Sequence, residues 1–229
     1  MTHEAILVAH GSPADPFSQE AAMKALAVRV AMWLPGWRIR GATLAQAGAL
    51  EAAVSQLTAP LIYPFFMAEG WFTRTNLPRR LAEAGGGALV QLLPFGTDPA
   101  LIGLMASAAK RAAATNGILL AAHGSKVSKT SSETTYAMVE SLLQLGFAPV
   151  KAGFVEEAPF LADVARELPN VTCLPFFALR AGHVVQDIPE ALEAAGFQGQ
   201  TLPPIGEDIG VAQLIAAALL RFEDHKSTP

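Results

Sequence analysis

The chain repeats itself. Residues 6–12 read ILVAHGS and residues 119–125 read LLAAHGS. A second block, PFFMAEGWFTRTNLP at 64–78, returns as PFFALRAGHVVQDIP at 175–189. The His-Gly-Ser triplets lie 113 positions apart (10 to 123) and the Pro-Phe blocks 111 apart (64 to 175). Two separate blocks at nearly one offset imply two homologous halves. The join falls near Thr115-Asn116-Gly117, dividing the chain into lobes 1–115 and 116–229. Whatever one half folds into, the other must fold into as well.

Each half alternates short apolar runs with longer segments of helical period. Strands are expected at 5–9, 39–44, 61–65 and 89–93, and again at 118–122, 150–155, 171–175 and 200–202. Helices are expected at 17–34, 47–57, 75–84 and 99–113, then at 130–145, 159–168, 187–195 and 209–222. Strict alternation of strand and helix predicts an α/β fold, each half a four-stranded parallel sheet flanked by helices. The strands are continuously apolar, as they must be when helices cover both faces.

Composition narrows the function. With 52% hydrophobic and 16% charged residues in a 229-residue chain, disorder is excluded and a large core is available. A net charge of −4 argues against wrapping nucleic acid, which needs a concentrated basic face. A single cysteine, Cys173, allows no internal disulfide and no thiolate cluster for a metal, which suits a reducing cytoplasm. The start of the chain lacks the basic and apolar regions of a secretory signal, and no apolar run is long enough to span a membrane.

His10 and His123 each follow the first strand of a half and precede a glycine. In a parallel α/β sheet that is the carboxyl edge, where ligands bind. In the second half, strand 150–155 leads into Glu156-Glu157 and strand 171–175 leads through a loop to His183. His123, Glu156 and His183 thus follow three successive strands and belong on one edge. Two imidazoles and a carboxylate form a donor set for a divalent first-row metal. Glu157 competes with Glu156 for the inward position.

The first half departs from this set. Aligning the Pro-Phe blocks puts Phe72 opposite His183, and aligning the second strands puts Gln46 opposite Glu156. The metal chemistry is therefore expected in the second half. The first half then supplies the other wall of a cleft, with Trp71 and Phe72 as stacking surface. Asp187 stands four residues after His183 and has two readings: an orienter of the imidazole, or the N-cap of the helix opened by Asp187-Ile188-Pro189-Glu190. Asn76-Leu77-Pro78 repeats the pattern where no second histidine exists, which favours capping. Lys126, Lys129, Arg180, Arg74, Arg79 and Arg80 lie near the predicted edge, where together they suit a polyanionic ligand. Glu69 is a lesser candidate base, and His3 and His225 stand near the termini.

The His-Gly-Ser pair, the Pro-Phe-Phe blocks and Gly182-His183 followed by Asp187-Ile188-Pro189 resemble the CbiX group of sirohydrochlorin chelatases, which are related to CbiK and ferrochelatase. The resemblance covers nearly the whole chain. It implies two flavodoxin-like lobes with the macrocycle between them. It implies a lyase that inserts a divalent metal into sirohydrochlorin without ATP, on the way to cobalamin or siroheme. The metal is Co²⁺ or Fe²⁺, with Ni²⁺ a third candidate, and no organic cofactor takes part. The family's catalytic histidines map onto His123 and His183, and its metal-binding acid onto Glu156. His10, Ser12, Ser125, Trp71, Phe72 and Arg180 are the candidate substrate-binding residues. Phe72 breaks the histidine pair of the first half, so site placement looks more like CbiK. The partner is the tetrapyrrole, with no nucleic acid or membrane, and the chain is expected to be a monomer or small homo-oligomer.

Three other readings were weighed. Histidine phosphatases resemble Arg-His-Gly, but Ala9 and Ala122 precede the histidines here, leaving a phosphoryl group without its arginine. An α/β hydrolase would need a Gly-x-Ser-x-Gly elbow, and none occurs. A non-catalytic carrier of metal or tetrapyrrole would use the same residues, and sequence does not separate it from an enzyme.

Overall fold

The computed structural model describes residues 3–87 and 89–227, of which 225–227 only as backbone. The side chain of His225 lies outside the described residues. In the first half, β1 (Glu4–Ala9), β2 (Arg38–Thr43) and β3 (Leu61–Pro64) form a parallel sheet in the order β2-β1-β3. Helices α1 (Pro16–Ala31), α2 (Ala49–Val54), α3 (Leu77–Glu83) and α4 (Leu101–Arg111) separate or follow them. The second half repeats the plan with β4 (Ile118–Ala122), β5 (Val150–Phe154) and β6 (Thr172–Pro175) in the order β5-β4-β6. Its helices are α5 (Thr130–Gln144), α6 (Leu161–Glu167), α7 (Ile188–Ala194) and α8 (Val211–Ser227).

Every residue of β1 and of β4 is buried. These are the central strands, covered on both faces, which is why their sequences are unbroken apolar runs. One core cluster joins Ile6, Val8 and Ile62 to Leu50, Leu77 and Leu81 from the helices. Its counterpart joins Leu119, Ala121 and Cys173 to Leu161, Val164, Ile188 and Leu192. No helix among the described residues is long and apolar enough to cross a membrane.

The sheets are three-stranded, not four-stranded as the apolar runs predicted. Segments 89–93 and 200–202 each touch the sheet through a single bridge, Ile62 to Gln91 and Cys173 to Thr201. Two backbone hydrogen bonds flank each bridge, among them Leu92 N–H to Ile62 O at 2.8 Å and Leu202 N–H to Cys173 O at 2.9 Å. Pro94 and the pair Pro203-Pro204 then stop the ladder, because proline brings no N–H. The chain turns instead into short 3₁₀ turns, Phe95–Thr97 and Ile205–Glu207.

Compact units and sequence repeats are different divisions of this chain. One unit takes residues up to Asp98 together with those from Ile209 onward; the other is Pro99–Asp208. Helix α4 therefore packs in the second unit, against α5, and α8 in the first, against α1 and β3. An ion pair pins each of them. Arg221 of α8 donates to Asp98 at 3.0 Å, and the buried Tyr63 hydroxyl lies 3.3 Å from the other oxygen of the same carboxylate. Arg111 of α4 pairs with Asp208.

Candidate functional site

His123 is the first residue beyond β4, at the carboxyl edge of the sheet. Its carbonyl accepts from Glu156 N–H at 2.9 Å, so the β4–β5 ladder runs one step past the strands and sets Glu156 beside it. The turn that follows needs glycine. Gly124 has φ +73°, and a Cβ there would stand 2.8 Å from Cγ of Glu157. Glu157 lies so close because its Oε1 accepts Ser125 N–H at 2.9 Å. Glu157 thus holds the His-Gly-Ser turn, which leaves Glu156 on the histidine side.

His183 arrives from another direction. It begins a π-helical turn, His183–Asp187, that runs straight into α7. Such turns are uncommon and recur at functional sites. The rings of His123 and His183 meet edge to face, centroids 4.4 Å apart and planes 88° apart. Nδ1 of His123 is 2.7 Å from the carbonyl of Gly124. A carbonyl only accepts, so this nitrogen carries the hydrogen and Nε2 keeps its lone pair. Nδ1 of His183 is 2.5 Å from Oδ2 of Asp187, with the same result. Both rings are held through Nδ1, and in the neutral ring Nε2 then carries the lone pair.

Asp187 does not cap α7. Its backbone is helical (φ −65°, ψ −39°) and its side chain makes no capping hydrogen bond; Asn76 behaves alike before α3. The π-helical turn continues directly into the α-helix, so no exposed N-terminus is left at this residue to cap. The capping reading is thereby corrected: Asp187 orients His183. The four-residue spacing carried that signal.

Glu156 has its own partner. Lys126 Nζ lies 3.1 Å from its Oε2. The hydrogen bond and charge of Lys126 hold the Glu156 carboxyl below the usual carboxylate range, against a smaller opposing effect of desolvation. Among the described residues no three His, Cys, Asp or Glu side chains form a ready metal cage. Of the expected set, the two imidazoles meet, while the Glu156 carboxylate is engaged by Lys126.

The first unit has the same frame with altered groups. His10 leaves β1 at the equivalent place, its Nδ1 3.1 Å from the Gly11 carbonyl. Gly11 has φ +75°. A π-helical turn, Phe72–Asn76, again precedes the helix. Phe72 meets His10 edge to face at 4.4 Å, where the second unit has its second imidazole. Oδ1 of Asn76, the counterpart of Asp187, is buried with no hydrogen-bond partner. Trp71 is exposed and packs on Phe72, centroids 5.1 Å apart. The partner of Glu156 in this frame is Ala45, whose N–H bonds the His10 carbonyl at 2.9 Å. Gln46 matches Glu157 instead, a one-residue correction. Blocks spaced 113 and 111 apart leave that ambiguity, and the ladder register resolves it.

The predicted rim cations are mostly paired. Arg74 bonds Glu69 at 2.9 Å and Arg79 bonds Glu83 at 2.9 Å. Arg180 reaches Glu207 through both Nε and Nη2, the shortest contact being 2.8 Å. Ser125 Oγ accepts the N–H groups of Val127 at 3.2 Å and Ser128 at 3.1 Å, so it shapes its own loop.

Known proteins resemble this chain in sequence and fold. A family model described as CbiX matches residues 117–221, the half with the imidazole pair. The chain is 46% identical to CbiX, the terminal enzyme for biosynthesis of siroheme in denitrifying bacteria. That match covers 96% of this chain and 99% of the other, with a TM-score of 0.86. SirB of Bacillus subtilis subspecies spizizenii, a sirohydrochlorin chelatase in complex with cobalt, matches at 16% identity and TM-score 0.74, covering 100% and 98% of the two chains. SirB from Bacillus subtilis with Fe³⁺ matches at 15% identity and TM-score 0.78, covering 99% and 98%. These two likenesses concern the fold. No curated protein sequence matches.

Proposed function

Because this chain belongs to the CbiX family, we propose that it is a sirohydrochlorin chelatase whose metal passes through the imidazole pair of the second unit. The observation that carries the reading is the contact of His123 and His183 at 4.4 Å. With each Nδ1 hydrogen-bonded, the Nε2 atoms of the neutral rings are the donors left to bind one divalent cation. Glu156 adds the charge that offsets the cation. Two pyrrole N–H protons leave the ring as the metal binds its nitrogens, and the two imidazoles, freed as they release the metal, can take one each.

Donor type alone does not select the metal, since the Irving–Williams order favours nickel and copper. The relative that shares 46% identity acts in siroheme biosynthesis, which supports Fe²⁺ as the physiological cation, with Co²⁺ also accepted. In the first unit, His10, Trp71 and Phe72 suit the ring rather than the metal. Phe72 has no lone pair, and half-exposed aromatic faces favour a flat macrocycle. The buried free thiol of Cys173 agrees with a cytoplasmic setting.

The test mixes protein, sirohydrochlorin and Fe²⁺ or Co²⁺ and follows the ring's absorption spectrum. Insertion should exceed the spontaneous rate, His183→Ala should abolish the excess, and His10→Ala should do less harm. Stoichiometric binding without turnover would make the protein a carrier. A lethal His10→Ala beside a silent His183→Ala would overturn the site.

A further inference from the structure

We propose that Lys126 sets how tightly the second-unit site holds its metal, by occupying Glu156 until the cation displaces it. This rests on the reading of His123, Glu156 and His183 as the metal site. Lys126 Nζ sits 3.1 Å from Oε2 of Glu156, the residue whose backbone N–H bonds the His123 carbonyl at 2.9 Å. A carboxylate already bound to an ammonium is a poorer ligand, because the metal must break that contact to use it.

The loop delivers Lys126 by construction. Gly124 turns it with φ +73°, Glu157 holds Ser125 N–H at 2.9 Å, and Ser125 Oγ collects two further N–H groups. The pair is also specific to this half. The repeat places Pro13 where Lys126 stands and Ala45 where Glu156 stands, so the unit without an imidazole pair lacks both partners. The ammonium and the carboxylate occur together in one half and are absent together from the other.

The magnitude suits a transfer enzyme. The Lys126 side chain is 74% exposed and that of Glu156 33%. Pairs this exposed to solvent are weak, so the lysine weakens metal binding severalfold and does not prevent it. A chelatase must release its metal to the ring, and a competing cation built into the site favours release.

The experiment titrates the protein with Co²⁺ in the absence of tetrapyrrole. Lys126→Met should tighten binding by about two- to fivefold. Lys126→Arg, which keeps the charge, should stay close to wild type. In a Glu156→Gln background, Lys126→Met should change nothing, since the competed ligand is gone. An unchanged or weaker affinity in Lys126→Met overturns the proposal. So does a gain that persists in the Glu156→Gln background, which would mean general repulsion of the cation. His123→Ala and His183→Ala separate the two levels. If they weaken Co²⁺ binding while Lys126→Met is silent, the metal site stands and the role of Lys126 falls. If neither affects binding, both fall.

Discussion

Asp187 accepts the Nδ1 hydrogen of His183 at 2.5 Å, within one π-helical turn. That contact fixes the ring's tautomer and leaves Nε2 as the metal-binding nitrogen. Asp187→Ala should lower metal affinity and chelatase activity by about 10- to 100-fold, the range for lost partners of metal-binding histidines. Melting temperature should barely move, because the carboxylate caps nothing. A Tm drop with full activity would restore the capping role.

The first unit preserves the acceptor without the donor. Asn76 Oδ1 is buried and unbonded, and Phe72 holds the place of an imidazole beside His10. Phe72→His should supply both the missing hydrogen bond and a second Nε2. Calorimetric titration should then find an additional Co²⁺ per chain relative to wild type. An unchanged stoichiometry would show that the frame of the first unit no longer supports a metal.

Helix α8 is tied to the first unit by Arg221 and the buried Asp98 carboxylate. Arg221→Ala should destabilise the protein by about 1–3 kcal/mol, moderated because Tyr63 still bonds the carboxylate and half of the arginine faces water. Denaturant unfolding measures this directly. A loss below about 0.5 kcal/mol, the scatter of ordinary surface substitutions, would show the pin to be decorative.

Cys173 is fully buried in β6, and burial pushes its thiol up to about 12. Reactivity requires the thiolate, so the native protein should resist iodoacetamide at neutral pH and label only on unfolding. Rapid labelling of folded protein would contradict the packing of this strand.

Much of the molecule is legible in its residues. Repeated motifs disclose the duplication, and unbroken apolar runs disclose central strands covered on both faces. His123 and His183 are placed at one sheet edge by topology alone, since a parallel strand delivers its next residue to a known end. Asp187 misleads for a local reason. Asp before Ile-Pro has the composition of a cap, and only a π-helical turn, which no propensity announces, brings it back onto the imidazole. Gln46 was matched to Glu156 because two motif blocks differ by two positions in spacing, and only ladder register tells which residue shares a rung with the histidine carbonyl.

Sequence by itself determined the two related α/β halves, the parallel strands and the sheet edge to which each histidine is delivered, because these follow from hydrophobic period and strand-end geometry, which act within a few residues. Tertiary structure alone decided that the sheets stop at three strands, that α4 and α8 pack outside the halves that encode them, and that Lys126 claims Glu156. Those outcomes depend on groups far apart in the chain competing for the same hydrogen bonds and surfaces, and such a competition is settled only when they meet.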